Sequence, residues 1–481
     1  MREHSSRRRS ALAQIGLCDA AIGGARRCRF ARHLVGKIAE SLLTCRSSWR
    51  HSGTILVAVF AFTVLSFDGL ALGADYYVDS ISGNDGNIGL SELRPWKTIA
   101  KVNSTLFEPR DVVHLRCGAV WREMLKPRRG GAPGAPITFT RYGTGPQPII
   151  NGSDVVTGWQ LFRGSIFSAR LATEPGNVYV DGGPGWGIDR ATSLDSMSSS
   201  SWFWESASKT LYIWLEDGKS PEIHNVEAAV RISGFYANVP DNQLSYTVID
   251  GLTFERTRGY GIYFHSYAGV TGLGGLVIRN CMVTQTGTGR LDTGRYLNGI
   301  MLLQEPELRI APVISGNHVS YTGGHGNGIN SQGADESRIE GNDVSAWNHN
   351  GIDVKHSRDV SVVHNVAHDQ RRSGAGFYCE YITNGTWAHN QVYNTSNGFQ
   401  IGRSSSATVS ENMISQVGTG VYFGPEAASL TLKHNVFRQT PLAVQSDGLG
   451  MITDRSNDWG RTHFRIGPRT FESSPWAVDS R

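Results

Sequence analysis

Apolar residues in the second half of the chain recur in a fixed pattern around asparagine. Segments of the form apolar-x-x-Asn-x-apolar repeat there, and their asparagines are Asn280, Asn317, Asn342, Asn365, Asn390, Asn412 and Asn435. From Asn317 onward the interval is 22 to 25 residues. A period of this length is typical of a solenoid, in which each repeat stacks on the next. We expect each Asn to lie at a corner of a coil and to bond the amide of the next coil.

A second apolar segment follows these asparagines and opens on glycine. Its first apolar residues are Ile329, Ile352, Phe377, Phe399 and Val421, each directly after a Gly. Two strand segments in each repeat, with no helix-forming stretch between them, predict an all-β solenoid. A leucine-rich repeat has a similar period, but leucine is scarce at these positions, and the second strand argues against it.

The other segments predict additions to this solenoid, whose repeats span 231–455. Residues 75–156 contain short β-type segments and an amphipathic helix from about Pro95, which favours an N-terminal cap followed by the first coils. Residues 157–230 are predicted to form an inserted, aromatic-rich β module, and residues 456–481 a C-terminal tail. Tryptophans of the module are expected in its core rather than on a sugar-binding platform: Trp159, Trp186, Trp202, Trp204 and Trp214.

The first 74 residues have the composition of a leader. An apolar run over 54–67 follows Arg46 and Arg50 and precedes small residues up to Ala74. It is shorter than the ~20 residues that span a bilayer comfortably, so it predicts a signal peptide within 54–74, with an uncleaved N-terminal anchor as the alternative. We therefore expect a secreted, periplasmic or cell-surface protein.

The charge outside this leader is nearly balanced. Residues 1–74 hold 11 of the 46 Lys and Arg residues and 4 of the 42 Asp and Glu residues, which leaves 35 against 38 for the remainder. This balance argues against a nucleic-acid partner. Cys117, Cys281 and Cys379 are scattered and odd in number, so they predict neither a disulfide framework nor a metal site.

The chain resembles the pectate-lyase-like superfamily of right-handed parallel β-helix proteins over nearly all of residues 75–450. The resemblance is carried by the opening YYVDSISGNDG with PWKTIAKVN, by RDVVHLRCGAVWRE, and by the repeated Gly-Asn and Gly-Ile coils. It implies a right-handed parallel β-helix. Members of such families include polysaccharide lyases, epimerases, glycoside hydrolases and binding proteins, so the fold alone does not choose a reaction.

Strand alternation sorts the side chains of the second segment into inward and outward ones. If the residue after each Gly points inward, the next one points out, which gives the row Asn330, Asp353, Tyr378, Gln400 and Tyr422. A second outward row lies two residues further along: Gln332, Lys355, Glu380 and Gly402, with His356 and Arg403 just past it. Asp353, Lys355 and Glu380 are thus expected to share one exposed face.

Three interpretations of this cluster remain open. In a lyase or epimerase of an acidic polysaccharide, Lys355 is the base, while Arg403, Arg372 or a Ca²⁺ ion neutralises the uronate carboxylate. The segment GIDVKHSRDVSVVHN is similar to the lysine-bearing coil of chondroitin and alginate lyases. A neighbouring Glu380 works against this role, because a carboxylate favours the ammonium form of lysine.

In a glycoside hydrolase, Asp353 and Glu380 form the carboxylate pair and Lys355 supports it. In the third interpretation, Lys355 and Glu380 form a surface salt bridge of little energetic value on a non-catalytic glycan-binding or structural protein.

Side chains around the cluster are candidates for substrate binding. His325 and His349 lie in loops just before the Gly-Ile segments, where a neutral imidazole can act as a base or donor. Trp347 and Tyr378 are predicted to stack on sugar rings, and Asn327 and Asn350 to serve tight turns. His356, Arg372, Gln400 and Arg403 complete the expected polysaccharide-binding cleft of a monomer.

Overall fold

The computed structural model describes residues 73–475, except for 184, 239–243, 267–273, 289–296, 305–310 and 449. Residues 54–72 of the predicted signal or anchor segment lie outside the described residues. Within the described part of the chain, no helix is long and apolar enough to cross a membrane.

Two long sheets, which we call the first and second sheet, form the body of the solenoid. The strands of the first sheet are Asp75–Val78, Val112–Arg116, Ile137–Tyr142, Thr247–Asp250, Val277–Arg279, Val313–Ser315, Arg338–Glu340, Ser361–Val363, Gly385–Ala388, Ser406–Ser410, Ser429–Lys433 and Met451–Arg455. Neighbours in this sheet pair in parallel, as successive coils of a solenoid must. The predicted all-β parallel solenoid is confirmed.

The second sheet carries both strand segments that follow each corner asparagine. Its strands are Val120–Trp121, Ile149–Asn151, Ser233–Asn238, Thr253–Thr257, Tyr260–Ser266, Met282–Thr286, Ile300–Gln304, His318–Thr322, Ile329–Gln332, Asp343–Trp347, Ile352–Arg358, Val366–His368, Ala375–Thr383, Gln391–Ile401, Met413–Phe423, Val436–Arg438, Leu442–Ser446, His463–Ile466 and Arg469–Phe471. Only the final pair among these strands, His463–Ile466 with Arg469–Phe471, is antiparallel.

The core runs through the interior of the coils and consists of side chains from the inward rows. Ile329, Ile352, Phe377, Phe399 and Val421 are all buried, as predicted. Phe377 and Phe399 stack with their ring centres 4.9 Å apart, because parallel pairing places equivalent residues of successive coils directly above one another. An α-helix, Ile99–Ser104, buries Ile99 and Val102 against the N-terminal end of this core.

A line of asparagines, all buried except the last, connects the coils at one corner, and we call it the first asparagine ladder. Its members are Asn317, Asn342, Asn365, Asn390, Asn412, Asn435 and Asn457. In each step, the Oδ1 of one Asn accepts the backbone N–H and the Nδ2–H of the preceding Asn, as from Asn342 to Asn365 at 3.0 and 2.9 Å. The Nδ2 also donates to a carbonyl of the preceding coil, as from Asn365 to Ile339 at 2.9 Å.

The ladder begins and ends differently from the sequence prediction. Asn280 was placed in it wrongly: its Nδ2 donates to Asp250 at the surface, and Cys281 takes the ladder position by donating its backbone N–H to Asn317. Asn280 instead has a left-handed φ of 53° at the corner. Asn457, which the repeat search missed, extends the ladder by accepting from Asn435.

Residues 153–229 contribute two smaller sheets beside the coils. One consists of Gln160–Arg163, Ile166–Arg170, Asp189–Arg190, Ser201–Glu205 and Thr210–Trp214, and the other of Ser153–Val155, Val178–Val180 and Val226–Ala229. Two 3₁₀ turns, Leu194–Ser196 and Pro221–Ile223, lie between these strands. Trp159, Trp202 and Trp204 pack in an apolar core of their own.

A charged network holds these small sheets against the coils. The Glu227 carboxylate, nearly buried, pairs with Arg122 at 3.0 Å and with Arg256 at 2.9 Å. Burial works to raise the pKa of Glu227, but hydrogen bonds from Arg122, Ser153 and Arg256 outweigh it and hold that pKa well below the usual range.

Candidate functional site

The outward rows of the second sheet have the predicted register. Parallel pairing sets Asp353 beside Asn330 in one neighbouring coil and Tyr378 in the other, and Gln400 follows Tyr378. In the second row, Lys355 lies between Gln332 and Glu380. We call this part of the second sheet the outer face.

Lys355 is the cation at the centre of the outer face, and it contacts two carboxylates. Its Nζ lies 3.5 Å from Oδ2 of Asp353 and 3.8 Å from Oε2 of Glu380. The ammonium group also lies 5.0 Å from the centre of the Tyr378 ring, within the range of a cation–π contact. Side chains of Lys355 and Glu380 retain 22% and 17% exposure, so both remain within reach of a ligand.

Asp353 is not exposed, which corrects the sequence prediction. Its side chain is 0% exposed, although it belongs to the outward row. Its Oδ2 accepts hydrogen bonds from Nδ2 of Asn327 and Nδ2 of Asn350, both at 3.1 Å. Its Oδ1 has no donor among the described residues. Burial is the main cause that raises the pKa of Asp353, to about 6, against the opposing effects of Lys355 and Asn350.

The asparagines that bind Asp353 belong to a line that we call the second asparagine ladder: Asn298, Asn327 and Asn350. Their Oδ1 atoms accept the backbone N–H groups of Asn327, Asn350 and Ala375 at 2.8, 3.0 and 3.0 Å. Asn327 and Asn350 were predicted to serve tight turns, and their bonds to Asp353 were not predicted. The repeated triplet of Asn, Gly and an apolar residue, beginning at 298, 327 and 350, was the signal that could have revealed this ladder.

The predicted histidine pair adjoins the second asparagine ladder. The rings of His325 and His349 lie 4.8 Å apart, and Nδ1 of His349 lies 2.9 Å from Oδ1 of Asn327. Burial, followed by the charges of His325 and Lys355, lowers the pKa of His349 to about 4. His349 is therefore neutral near pH 7 and is connected through Asn327 to Asp353.

Tyr378 and Arg403 complete the cluster on the other side of Lys355. Burial and the nearby carboxylates of Glu380 and Asp353 raise the pKa of Tyr378, so its hydroxyl stays protonated. A Cβ at Gly402 would lie 3.1 Å from that hydroxyl, so the absence of a side chain leaves room for Tyr378. Nε of the exposed Arg403 lies 4.0 Å from Glu380 and 3.2 Å from Glu426.

Other predicted site residues lie apart from this cluster. Trp347 was predicted to stack on a sugar ring, and this is wrong: it is 0% exposed and lies beneath Gly351 in the core. Ala346 adopts a φ of 52°, which interrupts the strand alternation and turns Trp347 inward. His356 is exposed, and its ring centre lies 4.6 Å from that of Tyr381, on which it stacks. Arg372 is exposed in the loop before the strand Ala375–Thr383.

The described residues contain no group of three or more His, Cys, Asp or Glu side chains arranged to hold a metal ion. In this part of the chain, the structure therefore presents no set of ligands of that kind for the Ca²⁺ ion considered from the sequence.

Comparisons with known proteins agree with the fold. A family model described as a right-handed β-helix region matches residues 298–458. This chain is 38% identical to a lacto-N-biosidase of Bifidobacterium longum subsp. longum over 90 residues. The match covers 17% of this chain and 6% of that protein. The chain thus spans a small part of that curated relative's length.

Solved structures are similar at low sequence identity. The complex structure of XylC with xylose is 15% identical with a TM-score of 0.58, over 78% of this chain and 69% of that one. The crystal structure of pectate lyase Pel9A is 14% identical with a TM-score of 0.45, over 85% of this chain and 83% of that one. The parallel register of the coils, the match to the right-handed β-helix region over residues 298–458 and the similarity to the XylC structure show that the chain has a right-handed parallel β-helix fold.

Proposed function

We propose that this protein is a carbohydrate-active enzyme that acts on an acidic polysaccharide, and that the outer face around Lys355 is its active site. Support comes from the partly exposed ionisable cluster on a sheet of the solenoid. The lacto-N-biosidase match and the fold shared with the xylose-bound XylC structure also connect this architecture to carbohydrate ligands.

The burial of Asp353 favours elimination or epimerisation over hydrolysis, and this single observation carries the choice. A hydrolase needs two carboxyl groups that face the glycosidic bond. Asp353 is 0% exposed and bonded to Lys355, Asn327 and Asn350, so it cannot contact a sugar in this conformation. Glu380 is then the partly exposed carboxylate of the predicted pair, and Lys355 beside it reaches the surface and can exchange a proton.

In the proposed reaction, Lys355 removes the proton next to a uronate carboxylate. Its amine must first be neutral, and Asp353 at 3.5 Å is a suitable acceptor for the Nζ proton, because its buried site disfavours the charged carboxylate. Arg403, which is exposed, neutralises the substrate carboxylate. The protonated hydroxyl of Tyr378 can donate to the leaving oxygen.

The proposal is tested by incubating the full chain with a panel of uronate polysaccharides. Ultraviolet absorbance of an unsaturated product is followed together with new reducing ends. We expect both signals, and we expect Lys355→Ala to lower kcat about 10²- to 10⁴-fold, the usual contribution of a general base. Lys433→Ala, on the first sheet, is the matched control and should retain full activity.

Hydrolysis is the second candidate, because the 38% identical relative is a lacto-N-biosidase. It predicts reducing ends without ultraviolet absorbance, and a greater loss of activity for Glu380→Gln than for Lys355→Ala. A change in uronate configuration without cleavage would indicate epimerisation. The absence of all three signals over the panel would refute the enzymatic proposal and favour a binding protein.

A further inference from the structure

A loop between the small sheets reaches the coils beside the candidate site. The Nε2 of Gln285 donates to the carbonyls of Gly183 and Gly185 at 3.0 Å each. Trp186, in the same loop, meets Tyr321 edge to face with ring centres 5.4 Å apart. Trp186 is 9% exposed, so most of its indole is enclosed by this contact region rather than by the apolar core formed around Trp202.

Arg371 lies on the indole of Trp186. The centre of its guanidinium is 5.3 Å from the ring centre, and its side chain is exposed. None of the described residues places a carboxylate within ion-pair distance of Arg371. Asp369 is the acidic group nearest along the chain, and its pKa is lowered mainly by Asn394 and His368, with Arg371 contributing least. The stacked guanidinium therefore keeps its hydrogen-bonding edge for another partner.

Trp186 carries a second unused group. Its indole N–H is buried and has no acceptor among the described residues. Because this N–H is enclosed, it is not open to a ligand, and Trp186 contributes to the surface through the ring face on which Arg371 lies.

Arg371 belongs to the same surface as the candidate site but to its opposite end. Its backbone N–H donates to the carbonyl of Trp347 at 3.0 Å, and Nε2 of the adjacent Gln370 donates to the carbonyl of His349 at 3.4 Å. Lys355 lies three residues into the strand Ile352–Arg358, about 10 Å from its start at ~3.3 Å per residue, and the loop of Arg371 contacts the residues before that strand. Arg371 would thus meet a different part of a ligand from the part that contacts Lys355.

We propose that Trp186 and Arg371 form a carboxylate-binding subsite, which makes the outer face selective for a glycan with a second acidic sugar on the Arg371 side of the reacting unit. This inference rests on the proposed function. A guanidinium binds a carboxylate through two parallel hydrogen bonds, and stacking on the indole fixes its plane before the ligand arrives. The loop beside the coils therefore contributes to specificity.

Calorimetric binding of saturated oligouronates tests the subsite, with Lys355→Ala in every protein to prevent turnover. Arg371→Ala should weaken binding about 10- to 100-fold, as expected for loss of a charge-assisted pair. Arg455→Ala is the matched control, because Arg455 is an exposed arginine of the first sheet that has no ring beneath it among the described residues, and it should change the affinity less than about twofold. Carboxyl-reduced oligomers of the same length should bind the parent and Arg371→Ala equally.

Further variants separate stacking from folding. Trp186→Phe keeps an aromatic face and should retain most of the affinity, whereas Trp186→Ala should lose it, with circular dichroism used to verify that both are folded. Equal losses for Arg371→Ala and Arg455→Ala, or an equal loss with carboxyl-reduced oligomers, would overturn the subsite. Failure of the parent to bind any oligouronate would overturn it as well. Polysaccharide cleavage in the separate activity assay would show that the proposed function survives that failure.

Discussion

Two asparagine ladders run along this molecule, and they use the same side chain for different purposes. In the first ladder, Asn365 receives two hydrogen bonds from Asn342 and donates to the backbone and to Asn390, so every amide group is used between coils. In the second ladder, Oδ1 of Asn350 still joins the next coil, but its Nδ2 donates to Asp353. The second ladder thus gives up part of its contribution to stacking in order to hold a buried carboxylate.

The difference teaches where this fold tolerates specialisation. The first ladder extends from Asn317 to Asn457 because each asparagine between these two ends completes the same set of bonds. In the second ladder, Nδ2 of Asn298 and Asn350 turns to the residue three positions later, Met301 and Asp353, and Nδ2 of Asn327 turns to Asp353 in the next coil. A change of that residue alters the chemistry of the outer face and leaves the backbone unchanged.

The largest effect is expected from breaking the first ladder. Asn365→Ala should lower the free energy of unfolding by about 4 kcal/mol, because it leaves the buried amide of Asn342 and the carbonyl of Ile339 without partners. Asn350→Ala should cost about half as much. Urea denaturation measures both, and Gln391→Ala, at the exposed strand position beside Asn390, is the control with little change. Equal costs for Asn365→Ala and Asn350→Ala would remove the distinction between the ladders.

The pH dependence of stability should separate the carboxylate from the imidazole beside it. The pKa of Asp353 is raised to about 6 in the folded state, so the folded protein binds the proton more tightly than the unfolded chain does. The contribution of Asp353 to the free energy of unfolding is complete below pH 4 and is lost as the pH rises to 6. The loss is about 3 kcal/mol, at ~1.4 kcal/mol per pKa unit. Relative to the parent, Asp353→Asn should therefore become more stable as the pH rises from 4 to 6.

His349 should act in the opposite direction. Its folded pKa of about 4 lies below the ordinary value, so stability from His349 is full above pH 6.5 and falls as the pH drops toward 4. His349→Gln should gain stability relative to the parent at pH 4.5 and not at pH 7. Thermal melts at both pH values measure this. The assignment would be contradicted if the stabilities of His349→Gln and Asp353→Asn, each relative to the parent, changed in the same direction as the pH rises.

The sequence predicts the rows of the outer face better than their exposure. Period and alternation place Asp353, Lys355 and Glu380 correctly, because parallel coils impose a common register. The burial of Asp353 depends on which side chains of neighbouring coils bend over it, and the bonds from Asn327 cross 26 residues. The inward turn of Trp347 depends on one left-handed residue, Ala346, which has no strong sequence signal.

A smaller effect should appear in catalysis when the second ladder is altered. Asn350→Ala should lower kcat/KM about tenfold, close to the ~1.4 kcal/mol expected for loss of one hydrogen bond to a charged group. The bond from Asn350 lowers the pKa of Asp353, so its loss should also move the acid limb of the activity profile to higher pH. Asn412→Ala, in the first ladder, is the control: its profile should keep the same shape. An unchanged acid limb in Asn350→Ala would show that the second ladder does not position Asp353 for the reaction.

The smallest effect, and the one gain of stability, is expected from lengthening the first ladder. Cys281 occupies the ladder position of its coil, and its Sγ lies 3.8 Å from the carbonyl of Ile249. An asparagine there could donate to that carbonyl and to Oδ1 of Asn317, as Asn317 does to Ile278 and Asn342. Cys281→Asn should therefore raise the free energy of unfolding by about 0.5–1 kcal/mol, the net value of one intramolecular hydrogen bond. Cys281→Ala is the control. If the asparagine variant is no more stable than the alanine variant, the ladder stops at Asn317 because the coil cannot accommodate the amide, and not because cysteine happens to stand there.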